Sequence, residues 1–196
     1  MLLGDICSIR SGLTFRDRLR DVREGGVLAV QQGDLTPAGE FNPDRALRID
    51  APTHSSHRVH SDELVIRSRG PFWSAWAPGD YGEPLVAVAP LFILHPTSDV
   101  HPAYLAWYVG RPAAQRFLTT EAMGTGVKMI PRAVLEKLPI DVPPLATQRV
   151  IALSSSLAAR ERALSLRLSD LRHDLLSTQL DRAALSPHLS ESRSNR

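Results

Sequence analysis

The stretch Pro143-Pro144-Leu145-Ala146-Thr147-Gln148-Arg149-Val150-Ile151-Ala152-Leu153 decides how this chain is organised. The proline pair stops what comes before it, because proline has no N–H to give and biases its predecessor away from helix. Beyond it, no glycine or proline interrupts the chain between Leu145 and Ser186. Val150, Leu153, Leu157, Leu164, Leu168, Leu171 and Leu175 fall on three- and four-residue steps once position 161 is counted. That spacing predicts a helix over residues 143–184 with a heptad seam, broken by Glu161 and fraying near Thr178. At 1.5 Å per residue such a helix runs about 50 Å, too long for one small domain to cover. An exposed leucine seam needs a partner helix, from a second copy of the chain or from another protein. Leu153, Leu157, Leu164, Leu168, Leu171 and Leu175 are the residues expected to meet that partner, as dimerisation contacts where it is a second copy. Residues 185–196 are polar and charged and are expected to be a disordered tail.

Residues 1–142 leave room for one modest domain. The composition, 43% hydrophobic and 22% charged, is that of a soluble globular protein. The apolar run from Leu85 to Leu94 is interrupted by Pro90 and is too short to span a membrane, which takes roughly 18 residues. Asp5 and the missing basic segment near the start argue against a secretory signal. The single Cys7 has no internal partner, so a reducing cytoplasm is the expected location. The charge is divided unevenly: residues 1–142 hold 13 Arg and 2 Lys against 10 Asp and 6 Glu, whereas residues 143–196 hold 8 Arg against 5 acids. The head therefore has no global basic field, and any contact with a polyanion must come from local clusters. Of the 23 cations 21 are arginine; its planar fork suits phosphates and guanine edges, although a GC-rich genome explains the same bias.

Within the head, Val27-Leu28-Ala29-Val30 and Leu64-Val65-Ile66 read as short buried strands, and Val86 to Leu94 as a third with Pro90 at a bulge or edge. Thr36–Arg48 and Ala51–His60 are rich in turn formers and read as surface loops. Pro102–Val109 reads as a helix, and a second starts with Pro112 in its first turn. Gly124 and Gly126 form a loop, Pro131 opens a short helix through Leu135, and Leu138-Pro139-Ile140 extends. The fold class expected is α+β: a mixed domain followed by one long coiled-coil-forming helix.

No arrangement of residues marks a catalyst. His54, His57 and His60 recur every three residues, but in a loop without cysteine or paired carboxylates, which favours surface histidines over a metal site. There is no Gly-x-Ser-x-Gly elbow. Gly124-Thr125-Gly126-Val127-Lys128 lacks Walker spacing, yet its glycines can bring backbone N–H groups to a phosphate beside the Lys128 charge; the plain alternative is a tight turn. Polar clusters follow the strands: Gln31-Gln32-Gly33-Asp34 after the first, Arg67-Ser68-Arg69-Gly70 after the second, and Arg10 to Arg16 near the start. Gln and Arg pair bidentately with adenine and guanine edges. Trp73 and Trp76 follow closely and read as packing residues before base wedges.

In order and spacing over residues 3–180 these pieces resemble one half of the specificity subunit of type I restriction–modification enzymes. The resemblance rests on Leu3-Gly4-Asp5-Ile6-Cys7-Ser8-Ile9-Arg10-Ser11-Gly12, on Glu63 through Gly70, and on Tyr104-Leu105-Ala106-Trp107-Tyr108 with Pro112-Ala113-Ala114-Gln115. It is strongest from Gly124 through Ile130, Leu135, Leu138-Pro139-Ile140 and Pro143-Pro144-Leu145 to Gln148 and Ile151. It implies a target recognition domain (1–142) that binds double-stranded DNA and a helix that sets domains apart. Ordinary members carry two recognition domains and two antiparallel helices; this chain has one of each, so homodimerisation is implied. A twofold dimer reads one half-site twice, as an interrupted palindrome, with half-sites within roughly 15 base pairs along a 50 Å rod. The family's specificity subunit has no catalytic role and needs no cofactor; it positions a methyltransferase subunit and often a restriction/translocase subunit. Gln31, Gln32, Arg67 and Arg69 are the expected base-edge contacts, and Arg10, Arg16, Thr125, Gly126 and Lys128 the expected backbone contacts. Two other classes remain open: an interaction module that recruits a partner through its coil without reading DNA, and a stand-alone enzyme.

Overall fold

The computed structural model describes residues 1–15, 19–22, 25–50 and 56–185. The chain divides into two units, Met1–Leu153 and Ser154–Arg196.

The first unit stacks three layers. One four-stranded antiparallel sheet has the order β1 (Cys7–Ser11), β8 (Leu91–Pro96), β5 (Leu64–Arg67), β6 (Ala75–Trp76); a second has the order β3 (Leu47–Ile49), β2 (Val27–Val30), β7 (Leu85–Ala87), β4 (Arg58–Val59). In the second sheet β2 and β7 run parallel, with Leu28 opposite Leu85 and Val30 opposite Ala87. The helices α2 (Pro102–Val109), α3 (Pro112–Glu121) and α4 (Arg132–Leu135) cover the free face of the first sheet, after a single opening turn, α1 (Leu3–Ile6). Successive side chains on a strand point to opposite faces, which explains the unbroken apolar run of β5. Leu64 and Ile66 join the helix-side core with Leu94, Tyr104, Leu105 and Leu118, while Val65 joins Ile93, Leu28 and Leu85 between the sheets. A strand buried on both faces has no reason to alternate, and each Leu or Ile it removes from water contributes about 2 kcal/mol.

Two sequence expectations change here. Val86–Leu94 is two strands in different sheets: β7 pairs with β2 and β4, the chain turns with the Leu91 N–H on the Val88 carbonyl, and β8 pairs with β1 and β5. Both strands are apolar because both are buried, so the sequence has no break other than Pro90. The two loop segments each hold a short edge strand, β3 and β4, and the first also holds a 3-10 turn at Pro43–Arg45.

The ends of the first unit meet. The Leu3 and Gly4 N–H groups donate to the Leu138 and Glu136 carbonyls at 2.9 Å each, and the Ile140 N–H donates to the Met1 carbonyl at 2.8 Å. The long helix α5 (Leu145–Leu185) begins on this platform. Gln148, wholly buried, accepts from the His101 N–H at 2.8 Å and donates to the Asp99 and Pro143 carbonyls at 2.9 and 2.7 Å. The bonds to His101 and Asp99 fix the start of α5 to the turn before α2, and the bond to Pro143 holds the chain that leads into the helix.

In the second unit α5 continues without a break to Leu185, past the expected fraying point at Thr178. Its described side chains are exposed almost throughout, including Leu157, Leu164, Leu168, Leu171 and Leu175. No helix among the described residues is long and apolar enough to cross a membrane.

Candidate nucleic-acid interface

The polar residues that follow β2 and β5 converge. Arg67 ends β5 with its guanidinium inside the domain: Nη1 donates to the Leu35 carbonyl at 3.2 Å, and the group lies 4.0 Å over the Phe72 ring. Its Nε is buried without a partner, and burial draws the Arg67 pKa below the usual arginine value. Gln32 opens the 3-10 turn Gln32–Asp34 directly after β2, and its Oε1 is also buried and unpartnered. Gly70 joins the two. Its φ of +122° is readily adopted by glycine, and a β-carbon built there would stand 3.0 Å from Arg67 Nη2 and 3.7 Å from Gln32 Nε2. An arginine and a glutamine side chain thus end beside one backbone position, each with an unsatisfied polar atom. Buried polar groups normally find partners; the Arg67 Nε donor and the Gln32 Oε1 acceptor stand out because they have none.

The turn under Gln32 is held from within. The Gln31 N–H donates to Asp34 Oδ2 at 2.9 Å, leaving the Gln31 side chain half-buried. Burial raises the pKa of Asp34, opposed by that N–H and by the charge of Arg45.

The glycine loop is part of the same surface. Met123 and Met129 exchange backbone hydrogen bonds of 2.8 Å each, closing a hairpin at whose tip Thr125, Gly126 and Val127 are exposed. That hairpin lies along the turn after β5: the Gly70 N–H donates to the Lys128 carbonyl at 2.9 Å, and the Ile130 N–H to the Ser68 carbonyl at 2.8 Å. Gly124 makes the turn possible, with φ +110° and a β-carbon position only 2.8 Å from the Val127 carbonyl oxygen. Lys128 Nζ reaches the Thr119 carbonyl at 3.3 Å and stays exposed, as does Arg69, whose Nη2 lies 4.0 Å from Met129 Sδ. Gln32, Arg67, Arg69 and Lys128 are therefore neighbours, although they come from segments nearly a hundred residues apart.

Arg10 is engaged elsewhere, within the protein. Nη1 and Nη2 pair with the two Glu63 carboxylate oxygens at 2.5 and 2.7 Å, and the Ser56 and Arg58 carbonyls take further hydrogen bonds at 2.7 Å each. With Glu63 almost fully buried, this arginine neutralises a core carboxylate, which leaves its fork little freedom for a phosphate. Arg16 lies outside the described residues, as do His54 and the tail 186–196. His57 Nδ1 lies 2.9 Å from the Ser11 carbonyl oxygen, and no group of three metal-ligating side chains occurs among the described residues. Trp73 is a core residue whose Nε1 donates to Thr119 Oγ1 at 3.1 Å. Trp76 stacks on Phe41 at 4.6 Å with Tyr81 edge-on, a half-buried aromatic group that the sequence reading did not find. It missed Phe72 too, since a lone phenylalanine five residues after Arg67 has no distinguishing pattern.

Three layers, polar turns converging at one edge and a long helix after a proline pair define an α+β fold. It is the fold of the specificity subunits of type I restriction–modification systems. A chain from the structural description of complex assembly and conformational transition in a type I restriction–modification system matches 93% of this chain at 19% identity, with a TM-score of 0.60. The HsdS subunit from Thermoanaerobacter tengcongensis matches 83% at 19% identity (TM-score 0.56). The type I S subunit from M. genitalium matches 95% at 13% identity (TM-score 0.57). The chain spans less than half the length of each of these proteins, between 37% and 47%. No protein-family model matches the sequence, and no curated protein does.

Proposed function

We propose that this chain is a DNA-reading specificity subunit of a type I restriction–modification assembly, acting as a homodimer. The observation that carries the reading is the match of nearly the whole chain to about half of a specificity subunit, together with an uncovered leucine seam. A second copy would supply a partner helix for that seam and a second domain of the same kind. Residues 1–142 would be the target recognition domain, 143–184 the dimerisation helix and 185–196 a tail. Gln31, Gln32, Arg67 and Arg69 would read base edges, with Thr125, Gly126 and Lys128 on the phosphate backbone. The dimer would bind an interrupted palindrome and direct a methyltransferase subunit, and with it a restriction/translocase subunit, in the cytoplasm. Leu166, Leu176 and Leu180 lie off the seam and are exposed as well, which gives α5 a second apolar strip for a different protein.

The net charge of −1 on residues 1–142 favours a second reading, an interaction module that recruits its partner through α5 without touching DNA. A gel shift against a randomised duplex pool, run beside sedimentation, separates the two. A DNA-reading dimer sediments as a dimer and shifts a subset of duplexes with a steep salt dependence; the module, its α5 kept for another protein, sediments as a monomer and shifts none.

A further inference from the structure

We infer that the seam of α5 pairs with that of a second copy in one antiparallel register, centred between Ser169 and Asp170. Arg160–Asp181 and Arg167–Asp174 ion pairs between the two copies fix it. This rests on the dimeric reading above and specifies its geometry.

The argument is the order of charge along one edge of the seam. Leu157, Leu164, Leu171 and Thr178 repeat every seven residues, and so do Glu161, Leu168 and Leu175; these two rows are the d and a positions of a coiled coil. The position preceding each a residue, g, is then occupied in turn by Arg160, Arg167, Asp174 and Asp181. Two cations are followed by two anions along a single line. All four are exposed, and none takes part in an ion pair among the described residues. Charged g residues face one another across antiparallel helices and set orientation and register.

Placing Leu168 of one copy against Leu171 of the other, and Leu164 against Leu175, sets Arg160 beside Asp181 and Arg167 beside Asp174, each pair formed twice. The four central leucines, between 47% and 60% exposed in the single chain, then cover one another. Glu161, the polar break in the seam, meets Thr178 instead of a leucine. The overlap runs from Ser154 to Leu185, the full described helix of the second unit.

Neighbouring arrangements are weaker on charge. A slip of one heptad keeps only two of the four Arg–Asp contacts and adds a repulsive one at the twofold axis, Arg167 against its own copy in one direction and Asp174 against its own copy in the other. A parallel in-register pair sets Glu161 against Glu161 inside the seam and Arg167 beside Arg172. Like charges so placed destabilise the pairing.

The test uses the full chain carrying either Leu164→Cys or Leu175→Cys, mixed and oxidised. Cys7 stays out of the exchange, since it is buried and its thiol pKa is pushed up to about 12. The expected result is a disulfide-linked dimer in the mixture and none from either variant alone, because each position lies far from its own copy. A second set covers variants that fold poorly. R167D and D174R should each weaken dimerisation roughly tenfold, and the double variant R167D/D174R should restore it by reversing the same pair. Self-linking of Leu164→Cys would overturn the antiparallel arrangement. A dimer by sedimentation with no mixed disulfide and no rescue would overturn the register alone, whereas a monomer would overturn both the register and the dimeric reading.

Discussion

Gly70 is placed so that any β-carbon on it would stand 3.0 Å from Nη2 of Arg67. At φ +122° the backbone is also in a region that other residues reach only with strain of about 2 kcal/mol. Gly70→Ala should therefore lower stability by about that amount and tilt the guanidinium off Phe72, with a loss of DNA affinity. Urea denaturation and a binding isotherm measure both. A variant as stable as the parent would show that Gly70 does not confine Arg67.

Lys128 is expected to act on the phosphate backbone. Lys128→Ala should weaken binding to all duplexes alike and reduce the slope of log affinity against log salt by about one. A change of site preference with an unchanged slope would place Lys128 at a base edge instead.

Arg10→Met should destabilise the first unit by about 3 kcal/mol, because it strands the buried Glu63 carboxylate without its bidentate partner. The double change Arg10→Met with Glu63→Gln should recover part of that loss. Thermal melts of the three proteins test it, and a neutral single variant would assign Arg10 to something other than the fold.

Asp34 makes stability depend on pH. Burial raises its folded pKa above the ordinary aspartate value, so the folded state holds the proton more tightly than the unfolded state. The contribution is complete below the unfolded pKa and is lost as pH rises through the folded one. Asp34→Asn should remove that dependence and leave the protein at least as stable near neutrality, while its side-chain oxygen still accepts from Gln31. Unfolding free energy followed from pH 4 upward, by order of magnitude the carboxylate range, reads it directly; a larger loss in the variant at high pH would contradict the sign.

Much of the fold is legible because it rests on local patterns. The apolar runs of β2 and β5 mark strands buried on both faces, prolines mark the starts of α2 and α3, and leucine spacing free of glycine and proline marks α5. The rest depends on partners distant in sequence. Nothing near Arg10 announces Glu63, 53 residues away, so a cation bound in the core reads like a surface one. β7 and β8 merge into one apparent strand because membership of two sheets is decided by tertiary pairing. At the candidate interface the residue types were legible, Gln and Arg after strands and a glycine loop, but not their convergence. That convergence depends on the Gly70–Lys128 and Ser68–Ile130 hydrogen bonds, which have no sequence signature.

The central claim is that two copies of this chain read duplex DNA as a symmetric pair. Enrichment of bound duplexes from a random pool by the purified chain tests it most directly. The account predicts an inverted repeat of one short half-site at a fixed spacing. Recovery of a single unrepeated half-site, or of no preferred sequence, would contradict it.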